Sequence, residues 1–363
     1  MEHTKKLTEY QLFIHPIDFT ELRRDIWIDE PIPAKLTVNK KRYNIDLAYR
    51  GSHIREFEKK SYHIIFRKPG MYRNAKEWHL NAEFMDPSLI RNKLSLDFFK
   101  DIGSLAPTSR FVNLKINGKN EGVYLELESV DEYFLENQKL PKGSIFYAVD
   151  GDANFSLMSE LDQDVKKSLE LGYERKCGKI EDEHALHEFI IKVNTISRLN
   201  FEKEIVRYLN VEKYIAWLAG VVFTQNYDGF VHNYALYRNG ESGLFEIIPW
   251  DYDATWGRDI HGELMAEDYL RIEGFNTLTA RILNVKTFRH QYQKRLENIL
   301  QHQFTVEYMK PKIRTLMEVI RPYISKDRYV NKNIHLFDKE EEMICGYIEA
   351  RTRYLKNNIN ILN

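Results

Sequence analysis

The chain changes hydrophobic period near residue 128, and one layer type cannot accommodate both halves. Upstream, the segments from Ala34 to Val38, Lys41 to Tyr49 (KRYNIDLAY) and Lys60 to Arg67 (KSYHIIFR) alternate or run in β-branched and aromatic residues, broken by Asn39-Lys40 and Gly51-Ser52. The strands from Arg110 to Ile116 and from Gly122 to Glu128 flank NGKNEG, whose Asn117-Gly118 step signals a hairpin. One helix interrupts this mostly antiparallel sheet: DPSLIRNKLSLDFFKDIG offers Asp86 as N-cap, Pro87 at the first helical position and Gly103 at its end. Downstream, SVDEYFLEN opens a helical region in which LNVEKYIAWLAGVVF is the most apolar stretch. A hairpin, Asn233 to Arg238 and Leu244 to Pro249, breaks it once. The expected class is α+β with two lobes, a β-rich lobe at 1–128 and a mainly helical lobe at 129–363.

Charge and cysteine usage weigh against several functions, although a local basic patch would still admit nucleic acid. The chain carries 53 Lys+Arg against 54 Asp+Glu, which lacks the basic footprint of a dedicated nucleic-acid binder. Cys177 and Cys345 are far apart and outside any zinc spacing, so free buried thiols are expected. The N-terminus, MEHTKKLTEYQLFIHP, lacks the apolar core of a signal peptide, and no stretch has the length of a membrane span, which points to synthesis and folding in a cytoplasm.

The chemistry concentrates in NYDGFVHNYALYRNGESGLFEIIPWDYD, residues 226–253. Asp228 precedes Asn233 by five residues; a hairpin follows, and Asp251 stands just past its second strand. Phosphoryl transfer on a kinase scaffold needs this order: a carboxylate to accept the proton of the acceptor hydroxyl, an Asn for metal, and a second carboxylate bridging metal and phosphates. Magnesium takes hard oxygen ligands, which an Asn amide and an Asp carboxylate supply. The competing structural reading has Asp228 capping a turn, Asn233 starting a strand, and Asp251 and Asp253 capping a helix through Trp256.

A kinase also needs a cation on the nucleotide phosphates. Lys59 and Lys60 open the strand KSYHIIF, and Lys60 is preferred because it shares one strand face with Tyr62, Ile64 and Phe66. The tight turn at Arg50 and Gly51 suits either backbone amides laid over phosphate or a plain turn, and Glu128, where a strand passes into a helix, suits either a kinase hinge or a solvated strand end. The acidic runs at 132–136 and 181–183 suit basic partners, although such runs are ordinarily solvated faces.

The segments YRGSHIREFEKKSYHI, WHLNAEFMDPSLIRNKLSLDFF, NGKNEGVYLELESVDEYFL, NYDGFVHNYALYR and IIPWDYDATWG stand in this order. Through them the chain resembles the spore coat protein H (CotH) family essentially end to end. The resemblance implies an atypical protein-kinase-like fold that uses ATP with Mg²⁺ or Mn²⁺. It implies phosphorylation of serine in serine-rich, basic coat proteins; from the charge balance and the lack of a long apolar stretch, neither nucleic acid nor membrane is expected as partner. The protein would be made in the mother-cell cytoplasm and assembled into the outer coat of the spore, whose assembly it would govern. Carried over by motif, Asp228 is the catalytic base, Asn233 and Asp251 are the metal ligands, and the lysine of KKSY contacts nucleotide. The chain departs from the kinase pattern in having Asn226-Tyr227-Asp228 for HRD, DYD for DFG, and no GxGxxG. Those departures keep two alternatives open, a structural coat scaffold with a degenerate nucleotide site and a kinase-fold AMP transferase.

Overall fold

The structure is a computed structural model that describes residues 6–363, and it combines sheet and helix in two compact units. The first gathers the described residues through Lys93 with Thr108–Ser129 and Lys310–Met343; the second gathers Leu94–Pro107, Val130–Met309 and Ile344–Asn363. The single cut between 128 and 129 is therefore replaced by an interleaved division. Contacts made far apart in sequence, which local periodicity does not carry, decide which unit a segment joins.

In the first unit β1 (Thr8–Ile14), β2 (Ile32–Val38), β3 (Lys41–Tyr49), β4 (Tyr62–Phe66), β5 (Glu77–Asn81), β6 (Ser109–Ile116) and β7 (Lys119–Glu128) close a barrel in the order β1-β2-β3-β4-β5-β7-β6. Neighbours are antiparallel except β1 and β6, which run parallel with Leu12 opposite Ile116. That pair removes the free edges that an open antiparallel sheet would leave. Alternation builds the interior: Leu36, Ile45, Leu47, Ile64, Leu80 and Leu114 are fully buried. Asn117 and Gly118 both take positive φ, 48° and 79°, as the expected hairpin turn requires.

Helix α1 (Pro16–Arg24) follows β1, and α2 (Arg91–Asp101) starts four residues later than expected. Leu89 stands at φ 58°, which no helix continues through, so Pro87 lies outside the helix. Asp86 instead closes a loop, accepting from Ser88 N at 2.9 Å and Arg91 N at 2.9 Å. Arg91, buried, pairs with both Asp86 and Glu340.

The second unit contains α3 (Glu132–Asn137), β8 (Gly143–Ala148), β9 (Tyr173–Cys177), α4 (Asp182–Thr195), α5 (Phe201–Ile205), α6 (Val211–Thr224), β10 (Tyr234–Asn239), β11 (Phe245–Pro249), α7 (Thr277–Leu283) and α8 (Lys286–His302). Its strands form a sheet in the order β11-β10-β8-β9, so the hairpin expected to stand alone has two further partners. β8 and β9 are short, and β9 (YERKC) is only half-buried, so neither shows clear alternation. The remaining helices are α9 (Val306–Ile324), α10 (Ile334–Phe337) and α11 (Glu340–Asn358). Helix α6 is buried on nearly every side, as its composition requires, with Trp217 packed edge-on against Phe230 and Tyr234.

Candidate active site

The site in the second unit starts where α6 stops. Gln225 takes φ 60°, and Asn226 N donates back to Val221 O at 3.3 Å, a left-handed cap that turns the chain out of the helix. Asn226 is buried, and its side chain works in two directions: Oδ1 accepts from Gly229 N at 3.0 Å, and Nδ2 reaches Asp251 O at 3.4 Å. Asp228–Phe230 form one 3₁₀ turn, with Val231 N and His232 N both donating to Asp228 O at 3.0 and 2.8 Å. The Asp228 side chain is half-buried. Its charge is felt by Tyr227, whose phenol is pushed up first by burial, then by Glu160, Tyr269 and Asp228.

β10 and β11 then bring two distant residues to one place. Tyr234 pairs with Pro249, and one step beyond, Trp250 N donates to Asn233 O at 3.0 Å. Asn233 and Asp251 flank this pair at φ 56° and 58°, both left-handed, a conformation that Asn and Asp adopt more readily than other residues bearing a Cβ. Asn233 Nδ2 donates to Asp251 O at 3.1 Å. Two amides, from Asn226 and Asn233, thus converge on one carbonyl and tie the Asp228 turn to the Asp251 segment.

The segment after Asp251 is irregular, so Asp251 and Asp253 cap no helix through Trp256. Asp253 accepts locally, from Ala254 N at 2.8 Å, and Trp256 N donates to Thr224 O at 3.0 Å. Ser95 on α2 supports it from below, accepting from Trp256 Nε1 at 2.9 Å and lying 3.1 Å from Thr255 Oγ1. Asn226 and Ser95 are the residues sequence reasoning missed. Asn226 registers there only as a departure from HRD, although an Asn between a helix end and an Asp is itself a turn signal. Nothing local marks Ser95.

The barrel unit holds the other expected residues. Lys59 is the fully buried lysine: Nζ donates to Val123 O at 2.6 Å and to Asp327 at 2.9 Å. Burial pulls its pKa down, against the opposing charge of Asp327. Lys60 lies before β4 begins, so the inward face of Tyr62, Ile64 and Phe66 does not extend to it. Its Nζ bonds Arg55 O, and partial burial lowers its pKa against the charge of Glu56. Arg50 donates from its guanidinium to Asn81 and from its amide to Ser61 O. Gly51 has φ 85°, and a Cβ there would fall 2.3 Å from Ile54 Cγ1, so the turn demands glycine. Arg50, Gly51 and Lys60 therefore gather around the turn at 50–56. Glu128 is buried, with Oε2 accepting from Thr108 N at 2.9 Å.

The acidic run at 181–183 is partly committed: Asp182 accepts from Lys179 N at 2.8 Å, and Glu183 pairs with Arg175 at 2.9 Å. Cys177 and Cys345 are free, and burial pushes the Cys177 thiol up to about 12. Among the described residues, no helix is long and apolar enough to cross a membrane.

Residues 47–355 match the family model described as CotH kinase protein. The inner spore coat protein H of Bacillus subtilis (strain 168) is 60% identical over 362 residues, covering 100% of both chains. An inner spore coat protein H-like protein of the same strain is 30% identical over 299 residues, covering 82% of this chain and 85% of its own. Two solved structures align more distantly. The HipA–HipB–operator DNA complex of Shewanella oneidensis MR-1 matches at 12% identity and TM-score 0.42, over 97% of this chain and 74% of that one. The Helicobacter pylori proinflammatory kinase CtkA matches at 11% identity and TM-score 0.32, over 76% of this chain and 94% of its own. Likeness of this degree fixes neither fold nor chemistry.

Proposed function

The chain belongs to the CotH kinase protein family, and we propose that it is a protein serine kinase of the spore coat, with a kinase-like fold. The convergence of the Asn226 and Asn233 amides on Asp251 O carries this reading, because it holds a base and two oxygen donors in one small region of one unit. Asp228 takes the proton of the serine hydroxyl as its oxygen bonds the γ-phosphorus of ATP. The bond from that phosphorus to the β–γ bridging oxygen breaks, and ADP leaves.

The Asn233 amide oxygen and the Asp251 carboxylate are hard donors, a set that fits Mg²⁺ or Mn²⁺. A metal held there would neutralise charge on the phosphates. Asn233 suits the task because its Nδ2 is engaged by Asp251 O, leaving Oδ1 as the ligand atom of an oriented amide. On the barrel unit we assign nucleotide phosphate to Lys60, with the Arg50-Gly51 turn, since the Lys59 ammonium is spent inside an ion pair. Glu128 carries the hinge assignment through its main chain, its carboxylate being committed to Thr108.

The substrates we propose are serine-rich, basic coat proteins, and phosphorylating them would steer coat assembly. The relatives are named for the inner coat, against the outer coat implied by resemblance, so coat association is proposed without the outer layer.

Label transfer tests the reading. Wild type should move label from γ-³²P-ATP to serine in such a protein, and Asp228→Ala should lower the rate about 100- to 10,000-fold while remaining folded. Transfer from α-³²P-ATP instead would establish AMP transfer. No transfer from either by folded wild type would leave a scaffold.

A further inference from the structure

β4 and β5 pair antiparallel, with His63 directly opposite His79 and Ile65 opposite Glu77. Since side chains alternate along a strand, Glu77 and His79, two residues apart, share one face, and His63 meets them from the neighbouring strand. The barrel interior takes the other face through Tyr62, Ile64, Trp78 and Leu80, so the three polar residues lie on the outer face. The two imidazoles stack at 4.7 Å, tilted by 17°.

We propose that His63, Glu77 and His79 form a binding site for a divalent cation of the Zn²⁺ class. One ligand atom from each lies within 4.8 Å of the others, and among the described residues no other group of His, Cys, Asp and Glu meets that criterion. His63 Nε2 stands 3.3 Å from Glu77 Oε2. That matches the roughly 3.3 Å between neighbouring ligands in a tetrahedral site with bonds of about 2.0–2.1 Å. Two imidazoles and a carboxylate suit Zn²⁺, Co²⁺ or Ni²⁺ and disfavour Mg²⁺ and Ca²⁺, so the donor set differs in kind from that of Asn233 and Asp251.

The ligands are also oriented from outside. Ser129 Oγ lies 2.8 Å from His79 Nε2 and donates to Glu77 Oε1, linking both. Metal-binding histidines are typically fixed through the second ring nitrogen in this way. His63 is half-buried, which leaves an approach for the ion and a fourth position for water. Bound metal would staple β4 to β5 and fix Ser129 at the end of β7.

Titration of the metal-free full chain with Co²⁺, followed by visible absorption and Zn²⁺ displacement, tests the site. The expected result is one Co²⁺ per chain with the intense bands of low coordination, displaced by Zn²⁺ and retained in Asp251→Asn. His63→Ala and Glu77→Gln, chosen because neither side chain is fully buried, should weaken binding at least tenfold, and Ser129→Ala about tenfold. No saturation below about 1 mM, or equal affinity in folded His63→Ala and wild type, would overturn the proposal.

Discussion

Asn233 donates from Nδ2 to the main-chain oxygen of Asp251 at 3.1 Å, and both residues hold left-handed backbone at φ 56° and 58°. The hairpin register creates this relationship. Any shift of β10 against β11 would separate the two residues, which are adjacent only because Tyr234 faces Pro249. A side chain that is to hold metal here, as the proposed function requires, must also tolerate positive φ, and Asn suits both demands.

Asn233→Gly and Asn233→Ala separate those demands. Glycine accepts φ 56° without strain, whereas alanine costs roughly 1 kcal/mol or more in the left-handed region. In urea denaturation the alanine variant should be less stable than the glycine variant by about that amount. Phosphoryl transfer should be lost in both. Activity retained in Asn233→Gly would show that the backbone, not the amide, is what the site needs.

Asn226 is tested by a pair of substitutions. Asn226→Ala removes the acceptor for Gly229 N and the donor to Asp251 O in a buried place, with an expected cost of about 1–3 kcal/mol. Asn226→Asp keeps the acceptor and loses the donor. Denaturation midpoints should rank wild type, then Asp, then Ala; equal destabilisation would assign the cost to the Asp251 contact alone.

Much of this was legible in the sequence, where physical signals are local. Asn117-Gly118 and the strands from Lys41 to Tyr49 and Phe245 to Pro249 follow from turn chemistry and alternation. β1 alternates too, with Tyr10, Leu12 and Ile14 inward, but its partner β6 lies about a hundred residues away, so its role in closing a barrel has no local trace. The candidate site was legible as Asp228, Asn233 and Asp251 because one hairpin joins the last two. Lys59 was not: its counter-ion Asp327 is 268 residues distant, and without it a strand-end lysine reads as a solvated charge.

The Lys59–Asp327 pair is fully buried, so removing one partner strands the other. Asp327 accepts from Lys59 Nζ and Val123 N through Oδ2 and from Tyr329 N through Oδ1. Lys59→Met and Asp327→Asn should each cost about 3–5 kcal/mol, and the double variant much less than their sum. Gly122→Ala should disturb the same pair, since its Cβ would fall 1.9 Å from Asp327 Oδ2 at φ 90°. If Lys59 serves nucleotide instead, Lys59→Met would raise the KM for ATP with stability unchanged.

Asp152 supplies an acid-sensitive contact in the loop that follows β8. Burial alone would raise its pKa, but Ser159 Oγ at 2.9 Å, the amides of Glu160 at 2.7 Å and Leu161 at 3.4 Å, and the charge of Lys166 outweigh that and hold it low. A carboxyl depressed on folding contributes stability that is whole above its unfolded value, about 3.9, and is lost as pH falls through the folded one. The segment at 152–166 should therefore loosen below about pH 4, before the α6 core, with the Glu160 and Leu161 amide resonances moving together. Asp152→Asn should produce that loosened state already at neutral pH, because the carboxylate that gathers three donors is gone. Glu160 is one of the charges acting on Tyr227, so the same variant should lower the Tyr227 pKa, read by ultraviolet titration. Amide resonances for 160 and 161 unchanged in Asp152→Asn would mean that the loop is held by other contacts.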